Sequence, residues 1–437
     1  MKSNIKLFCL LLLVFVTSSQ IIYAQSPYKN VMIGNENEPN ELSIAMHPFD
    51  FNNMVVGANI DSYYYTFDGG LTWSQRKMTS SYGVWGDPCV VADTKGNFYY
   101  FHLSNSYEKG YYYDRLICQK SVDGGISWSD GTFMGANSPH LQDKEWAAVD
   151  LTYSPYRNNI YISWTQCGKD SYGDEGVAPS TDDDSSVIFL SYSSDDGESW
   201  SHRVRISDVA GNVCSYAEQT VLGAAPCIGL NGEVFVAWSS TKGILLDKST
   251  DGGNSWLKND ITVTDFPSGF RFQIPGIYRC FSFPSLACDY SFSPNRGTIY
   301  INWADQRKGV DNSEIWISKS TDGGITWSSP IKVNDDSDNK HQFFTWMTVD
   351  QSTGYIYVVF YDRRNYDDER TDVYLATSKD GGNTFVNERI SESPFTPIES
   401  TFMGDYINIA ASNGVIRPVW TRVDTTDLSV WIAIINN

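Results

Sequence analysis

The sequence predicts an all-β fold, a seven-bladed β-propeller, on three observations. One octapeptide pattern recurs six times in order, the same strand-like runs recur around each copy, and the two chain ends hold the pieces of one more unit. The copies are Thr66-Phe-Asp68-Gly-Gly70-Leu-Thr72-Trp73, Ser121-Val-Asp123-Gly-Gly125-Ile-Ser127-Trp128, Ser193-Ser-Asp195-Asp-Gly197-Glu-Ser199-Trp200, Ser249-Thr-Asp251-Gly-Gly253-Asn-Ser255-Trp256, Ser320-Thr-Asp322-Gly-Gly324-Ile-Thr326-Trp327 and Ser378-Lys-Asp380-Gly-Gly382-Asn-Thr384-Phe385. Each has hairpin-turn chemistry: Asp and Ser/Thr side chains bond nearby amides, Gly supplies positive φ, and the aromatic plugs the sheet below.

Successive copies are about 55 to 72 residues apart, the length of a four-stranded blade with its loops. In the fifth unit an inner strand is expected at Ser285 to Asp289, a second at Gly297 to Trp303, a third at Glu314 to Lys319 and, after the octapeptide, a fourth at Pro330 to Val333. The sixth unit repeats this with Thr345 to Asp350, Tyr355 to Tyr361 and Asp372 to Thr377. Beyond the last octapeptide come Asp405 to Ala411, Val415 to Thr421 and Leu428 to Ile435, three-quarters of a blade. At the other end Tyr28 to Gly34 is a lone strand placed before the first inner strand, Leu42 to Met46. It supplies the missing outer strand, because an open ring would leave unpaired edges. A six-bladed ring is the alternative count.

The pattern S/T-x-D-x-G-x-S/T-W resembles the Asp box of sialidases and other BNR-repeat proteins, and the resemblance covers the whole chain after the leader. It implies a propeller whose ligand sites lie around the axis on the rim opposite the boxes. Sialidase catalysis also uses an arginine triad, a Tyr–Glu pair, an Asp acid and an Arg-Ile-Pro motif in the first blade. This chain departs from that pattern: no arginine precedes the first box, and the nearest string, Arg271-Phe-Gln-Ile-Pro275, falls between the fourth and fifth blades.

Met1 to Ala24 has the form of a signal peptide, with Lys2 and Lys6 ahead of the apolar run Leu7 to Val16, cut before Gln25. The expected organisation is therefore a leader over 1–24 and a single domain over 25–437, secreted or periplasmic, with no membrane span. The least regular stretch, Gly168 to Ser186, reads as a loop insertion. A formal charge of −20 opposes nucleic acid and acidic lipid as partners, and the chain is expected to be a monomer. Seven cysteines remain after Cys9, so at least one is unpaired. Cys214 and Cys280, ahead of adjoining inner strands, are the first choice for a disulfide, while Cys89, Cys227 and Cys288 read as buried thiols. No metal or other cofactor is expected.

Topology sorts the chemistry-bearing residues. The boxes join third and fourth strands on one rim, where His47 and His202 also fall as structural residues. Loops entering the inner strands open on the other rim, which gathers His102, His140 and His341 with Asp87, Lys144, Glu145, Tyr216, Glu218, Tyr278, Arg279, Asp405 and Tyr406. The expected catalytic set is His102, His140, Glu145, Glu218, Tyr278 and Arg279, with Lys144, Tyr216, His341, Asp405 and Tyr406 binding substrate. Asp305-Gln-Arg307, Asp362-Arg-Arg364 and Arg422-Val-Asp424 recur at one place in successive blades and read as structural pairs.

Such acids, bases and phenols suit proton transfer on a polysaccharide or glycoconjugate. A glycoside hydrolase needs two carboxyls across a bond, for which Glu145, Glu218 and Asp405 are available. The seven-bladed count is also similar to that of ulvan lyases, whose β-elimination needs a base, a cation for the uronate and an acid: His102 or His140, Arg279 and Tyr278 fit by type. The third reading is a propeller that binds glycan or protein without catalysis.

Overall fold

The computed structural model describes residues 26–437 apart from 107–110, 169–184, 212–213, 215–219, 268 and 338. The leader and most of the insertion lie outside the described residues. Among the described residues seven four-stranded antiparallel sheets follow one another round the ring, with one extra two-stranded ribbon, and there is no helix. The inner strands, in blade order, are Ser43–Met46, Cys89–Ala92, Leu141–Val149, Leu222–Ile228, Ser285–Cys288, Gln342–Asp350 and Asn408–Ser412.

The ring closes as the chain ends require. Lys29–Gly34 pairs antiparallel with Asp427–Asn436, Lys29 facing Ile434 and Met32 facing Trp431, and so forms the outer edge of the seventh blade. The count is seven, not six. The last inner strand starts at Asn408 rather than Asp405, because Asp405 and Tyr406 are turned into the buried axis ahead of it.

Second strands carry the core. Those of the third, fourth, fifth and seventh blades, Ile160–Cys167, Val234–Ser240, Ile299–Asp305 and Val415–Asp424, each place one tryptophan, Trp164, Trp238, Trp303 and Trp420, fully inside. Strands sandwiched between neighbouring blades are covered on both faces, which explains continuous Val, Ile and Tyr runs where a one-sided sheet would alternate.

The boxes form one repeated clasp. In the first, Gly70 N donates to Thr66 Oγ1 (3.3 Å), Thr72 N to Asp68 Oδ1 (2.9 Å) and Trp73 Nε1 to the Gly70 carbonyl (3.0 Å). In the fifth, hydrogen bonds from the Thr326 hydroxyl and amide, then from Ser320, hold the Asp322 carboxyl down to about 2. His47 is part of the same rim's scaffold, its Nδ1 accepting from the amides of Phe49 and Asp50 (3.1 and 2.9 Å).

The expected Cys214–Cys280 bond is corrected to Cys167–Cys214, with Cα atoms 5.5 Å apart. Cys214 lies over the end of the third blade's second strand, while Cys280 is buried in the ribbon that pairs Arg271–Phe272 with Cys280–Phe281. Cys89, Cys118, Cys227, Cys280 and Cys288 are buried free thiols. The three Asp–Arg motifs close on themselves, with Arg307–Asp305 at 2.6 Å, Arg364–Asp362 at 2.7 Å and Arg422–Asp424 at 2.8 Å. No helix among the described residues is long and apolar enough to cross a membrane.

Candidate functional site

The axis on the rim opposite the boxes opens into a pocket of about 750 Å³. Three consecutive blades enter it in the same unusual way. Glu41, Asp87 and Lys144 each stand two residues ahead of the first axial residue of their inner strands, Ser43, Cys89 and Trp146, and each has a left-handed backbone, with φ of 53°, 52° and 54°. In the third blade the register with the second strand shifts between Asp143 and Trp146, the mark of a bulge. The fourth and sixth blades shift at the same place, around Gly223 (φ 77°) and Phe344 (φ 46°). A bulge re-aims a side chain, here from the blade interface toward the axis. Positive φ is strained for non-glycine residues and gathers where function needs it.

These three charges meet. The Asp87 carboxyl hydrogen-bonds that of Glu41, and Asn59 clamps the pair, its Nδ2 donating to Glu41 Oε2 and its Oδ1 accepting from the Asp87 amide (2.7 Å). Lys144 Nζ stands 3.7 Å from Glu41 Oε1 and 4.0 Å from Asp405 Oδ2. Arg279 grips Asp405 with two bonds, Nε to Oδ1 (2.8 Å) and Nη2 to Oδ2 (2.7 Å).

The protonation pattern follows from this geometry. Burial opposes ionisation of Glu41, but the Lys144 charge, the Asp87 hydrogen bond, Arg279 and Asn59 together hold its carboxyl below the ordinary value. Asp87 goes the other way: burial first, then the Glu41 charge, push it well above the usual carboxylate range. One proton therefore sits on Asp87 and one negative charge on Glu41, as expected of two carboxyls in contact. Burial lowers the proton affinity of Lys144, yet the charges of Glu41 and Asp405 outweigh it and keep the ammonium charged.

Beneath the charges the axis is filled by rings. Lys144 Nζ lies 3.7 Å from the centroid of Tyr406, whose ring meets Trp146 at 5.4 Å and Trp346 at 6.1 Å. Glu145, next in sequence to Lys144, is buried with both carboxyl oxygens lacking a hydrogen-bond partner, and burial drives its carboxyl well above the ordinary range. The pocket wall is aromatic: Trp85 and Tyr113 pack at 5.8 Å, and Phe402 joins them, backed by exposed Tyr278, whose ring meets it edge-on at 5.7 Å.

Of the residues expected from sequence, Lys144, Glu145, Tyr278, Arg279, Asp405 and Tyr406 are brought together here. The histidines are not. His102 is fully buried inside the second blade, both ring nitrogens occupied by Leu103 O (2.9 Å) and Gln119 Oε1 (3.0 Å), and burial lowers it to about 4. His140 is half-buried in its own turn beside Asn137, and His341 bonds Ser313 Oγ at the seam of the fifth and sixth blades. Tyr216 and Glu218 lie outside the described residues. Sequence reasoning missed Glu41 altogether and left Asp87 out of the working set. Aligning the blades on their inner strands would have placed both at the offset of Lys144. Among the described residues no group of three or more His, Cys, Asp and Glu side chains is spaced to hold a metal ion.

A seven-bladed propeller with six Asp boxes and an acidic axial pocket defines the class. Residues 172–392 match the model of the BNR repeat-like domain, half of the chain, and the chain belongs to that family. No curated protein matches it in sequence. Among solved structures it is similar to a protein of unknown function from Dyadobacter fermentans, at 10% identity and TM-score 0.50 over 94% of this chain and 98% of that one. It is similar also to the Trypanosoma rangeli sialidase in complex with sialic acid, at 14% identity and TM-score 0.51 over 93% of this chain and 59% of that one. A mutant of the α-L-arabinofuranosidase Arb93A of Fusarium graminearum, bound to an iminosugar inhibitor, matches at 10% identity and TM-score 0.50 over 79% and 91%. At these identities the likeness is one of fold, the β-propeller.

Proposed function

We propose that the protein is an exported glycoside hydrolase acting on a polysaccharide or glycoconjugate whose cleaved sugar is uncharged. The observation that carries this reading is the Asp87–Glu41 pair, one carboxyl protonated and its partner ionised, at the mouth of an aromatic-walled pocket. Asp87 gives its proton to the glycosidic oxygen as the C–O bond breaks, Glu41, in contact with it, keeps that proton on Asp87 beforehand rather than standing across the bond, and the water that adds to the anomeric carbon returns a proton to Asp87. Trp85, Tyr113 and Phe402 offer flat apolar faces to a sugar ring, with Asn37, Ser400 and Thr401 as its polar partners.

Charge favours hydrolysis over elimination. A lyase must neutralise a uronate, and a sialidase must grip a carboxylate, but Arg279 is already closed on Asp405, and Lys144 is buried and is not among the residues lining the pocket. Glu38, Glu41, Asp143 and Asp405 also line the pocket and repel an anionic sugar. Export is supported by the leader-like Met1 to Ala24 and by the Cys167–Cys214 disulfide, which persists in oxidising compartments. The test is product analysis on panels of neutral and acidic glycans. New reducing ends from neutral chains are expected; unsaturated uronates would instead mean elimination, and binding without products a non-catalytic module.

A further inference from the structure

A larger cavity lies at the other end of the axis. About 1180 Å³ in volume, it opens on the box rim, is walled by the inner strands with residues such as Ala45, Ala148, Ala287 and Ala410, and reaches Trp146. Among the described residues no aspartate or glutamate lines it, although the chain carries a formal charge of −20. Among the described residues its charged lining side chains are Arg157 and Arg296.

The two arginines are presented by the same device. Asp150-Leu-Thr-Tyr153-Ser-Pro-Tyr-Arg157 in the third blade and Asp289-Tyr-Ser-Phe292-Ser-Pro-Asn-Arg296 in the fifth are one motif used twice, each the turn after an inner strand. The buried aspartate ties the turn: Asp150 accepts from the Thr152 amide (2.8 Å) and Asp289 from the Ser291 amide (2.8 Å). The aromatic is thrown outward, Tyr153 to 93% exposure and Phe292 to 96%. Each guanidinium lies over its own ring, 4.6 Å for Arg157 on Tyr153 and 4.9 Å for Arg296 on Phe292. Nη1 of each bonds carbonyls of its own turn, Thr152 for Arg157 and Tyr290 and Ser291 for Arg296. Neither forms an ion pair among the described residues, so Nε and Nη2 keep donors available to a ligand. A guanidinium fork of this kind suits a carboxylate.

We propose that this cavity binds an amphiphilic carboxylate, its apolar body against the small-residue walls and its head on Arg157 or Arg296. Apolar walls alone would accept any hydrophobe; the arginines, in a chain with a large excess of acids, select the anion. The site is separate from the acidic pocket and does not depend on the hydrolase reading.

The test uses the chain without its leader, titrated with dansyl-undecanoate, a fluorescent apolar carboxylate, and with its methyl ester, which keeps the body and removes the charge. Saturable binding is expected, with the carboxylate roughly tenfold or more tighter than the ester, the scale of a charge-assisted hydrogen bond. Exchanging Arg157→Gln and Arg296→Gln together should bring the carboxylate down to the affinity of the ester, leave ester binding unchanged, and leave glycan cleavage at the opposite mouth unchanged. Equal affinity of acid and ester for the native chain overturns the proposal without any variant. So does an unchanged carboxylate affinity in the folded double variant, or the absence of saturable binding.

Discussion

Asp87 of the second blade and Glu41 of the first meet carboxyl to carboxyl across the seam between their blades, with the proton on Asp87 and the charge on Glu41. The division is set by surroundings rather than residue type. Glu41 faces Lys144, with Arg279 also lowering it, and is 2% exposed; Asp87 has Glu41 and Asp143 as negative neighbours and reaches the pocket. Two carboxyls pushed apart in this way are what acid–base chemistry near neutral pH requires.

The first prediction follows from that asymmetry. The Glu41 charge raises Asp87, so Glu41→Gln should lower the Asp87 value and move the alkaline limb of the pH–rate profile toward acid. A pH–rate profile of the variant checks this. A rate loss with an unmoved limb would mean that Glu41 only shapes the pocket.

The Arg279–Asp405 pair should be structural as well as electrostatic. Asp405 is 3% exposed, and Arg279→Met would leave it only Lys144, 4.0 Å away. Removing one partner of a buried pair costs about 3 kcal/mol. Denaturant unfolding of the variant at neutral pH should show a loss of that order.

Stability as a whole should rise on mild acidification. Burial raises Asp87 and Glu145 well above the ordinary range, Asp247 to about 7, and Asp260 and Asp362 to about 6. The folded chain therefore holds protons that the unfolded chain releases near pH 4, and stability falls as pH rises through this interval. His102 and His341, lowered by burial to about 4, act oppositely, since the unfolded chain protonates them near 6.5. The carboxyls outnumber them. The melting temperature should be higher at pH 5 than at pH 7.5, and Asp247→Asn should flatten the difference.

Deleting residues 26–34 should unfold the ring cooperatively at a lower temperature, because it strips the outer strand from Asp427–Asn436. Calorimetry reads this directly. A box variant should behave more mildly: Asp251→Ala loses bonds from the Ser255 amide and hydroxyl and should cost about 1 kcal/mol without touching turnover.

Architecture was legible in the sequence because boxes and strands repeat with a period, and the unpaired pieces at Tyr28 and after Asp405 could only complete each other. The site was legible by rim and not by role. His102 reads as a rim histidine because it ends a strand in an aromatic run, but its side chain turns into the blade rather than the pocket, a choice of face that a β bulge or a one-residue shift decides. Glu41 carries no motif, and its role comes from three left-handed residues converging from separate blades. The Cys167–Cys214 bond depended on where a long loop returns, which strand spacing does not encode.

The central claim rests on Asp87 as the proton donor. Asp87→Asn keeps the size of the protonated acid and a donor toward Glu41, so the fold and its melting temperature at pH 7 should be retained. The decisive measurement is the rate of reducing-end release from a neutral glycan that the native chain cleaves. A loss of about 10²-fold or more is expected in the folded variant, with substrate still bound. A folded Asp87→Asn chain that turns over at the native rate would contradict it.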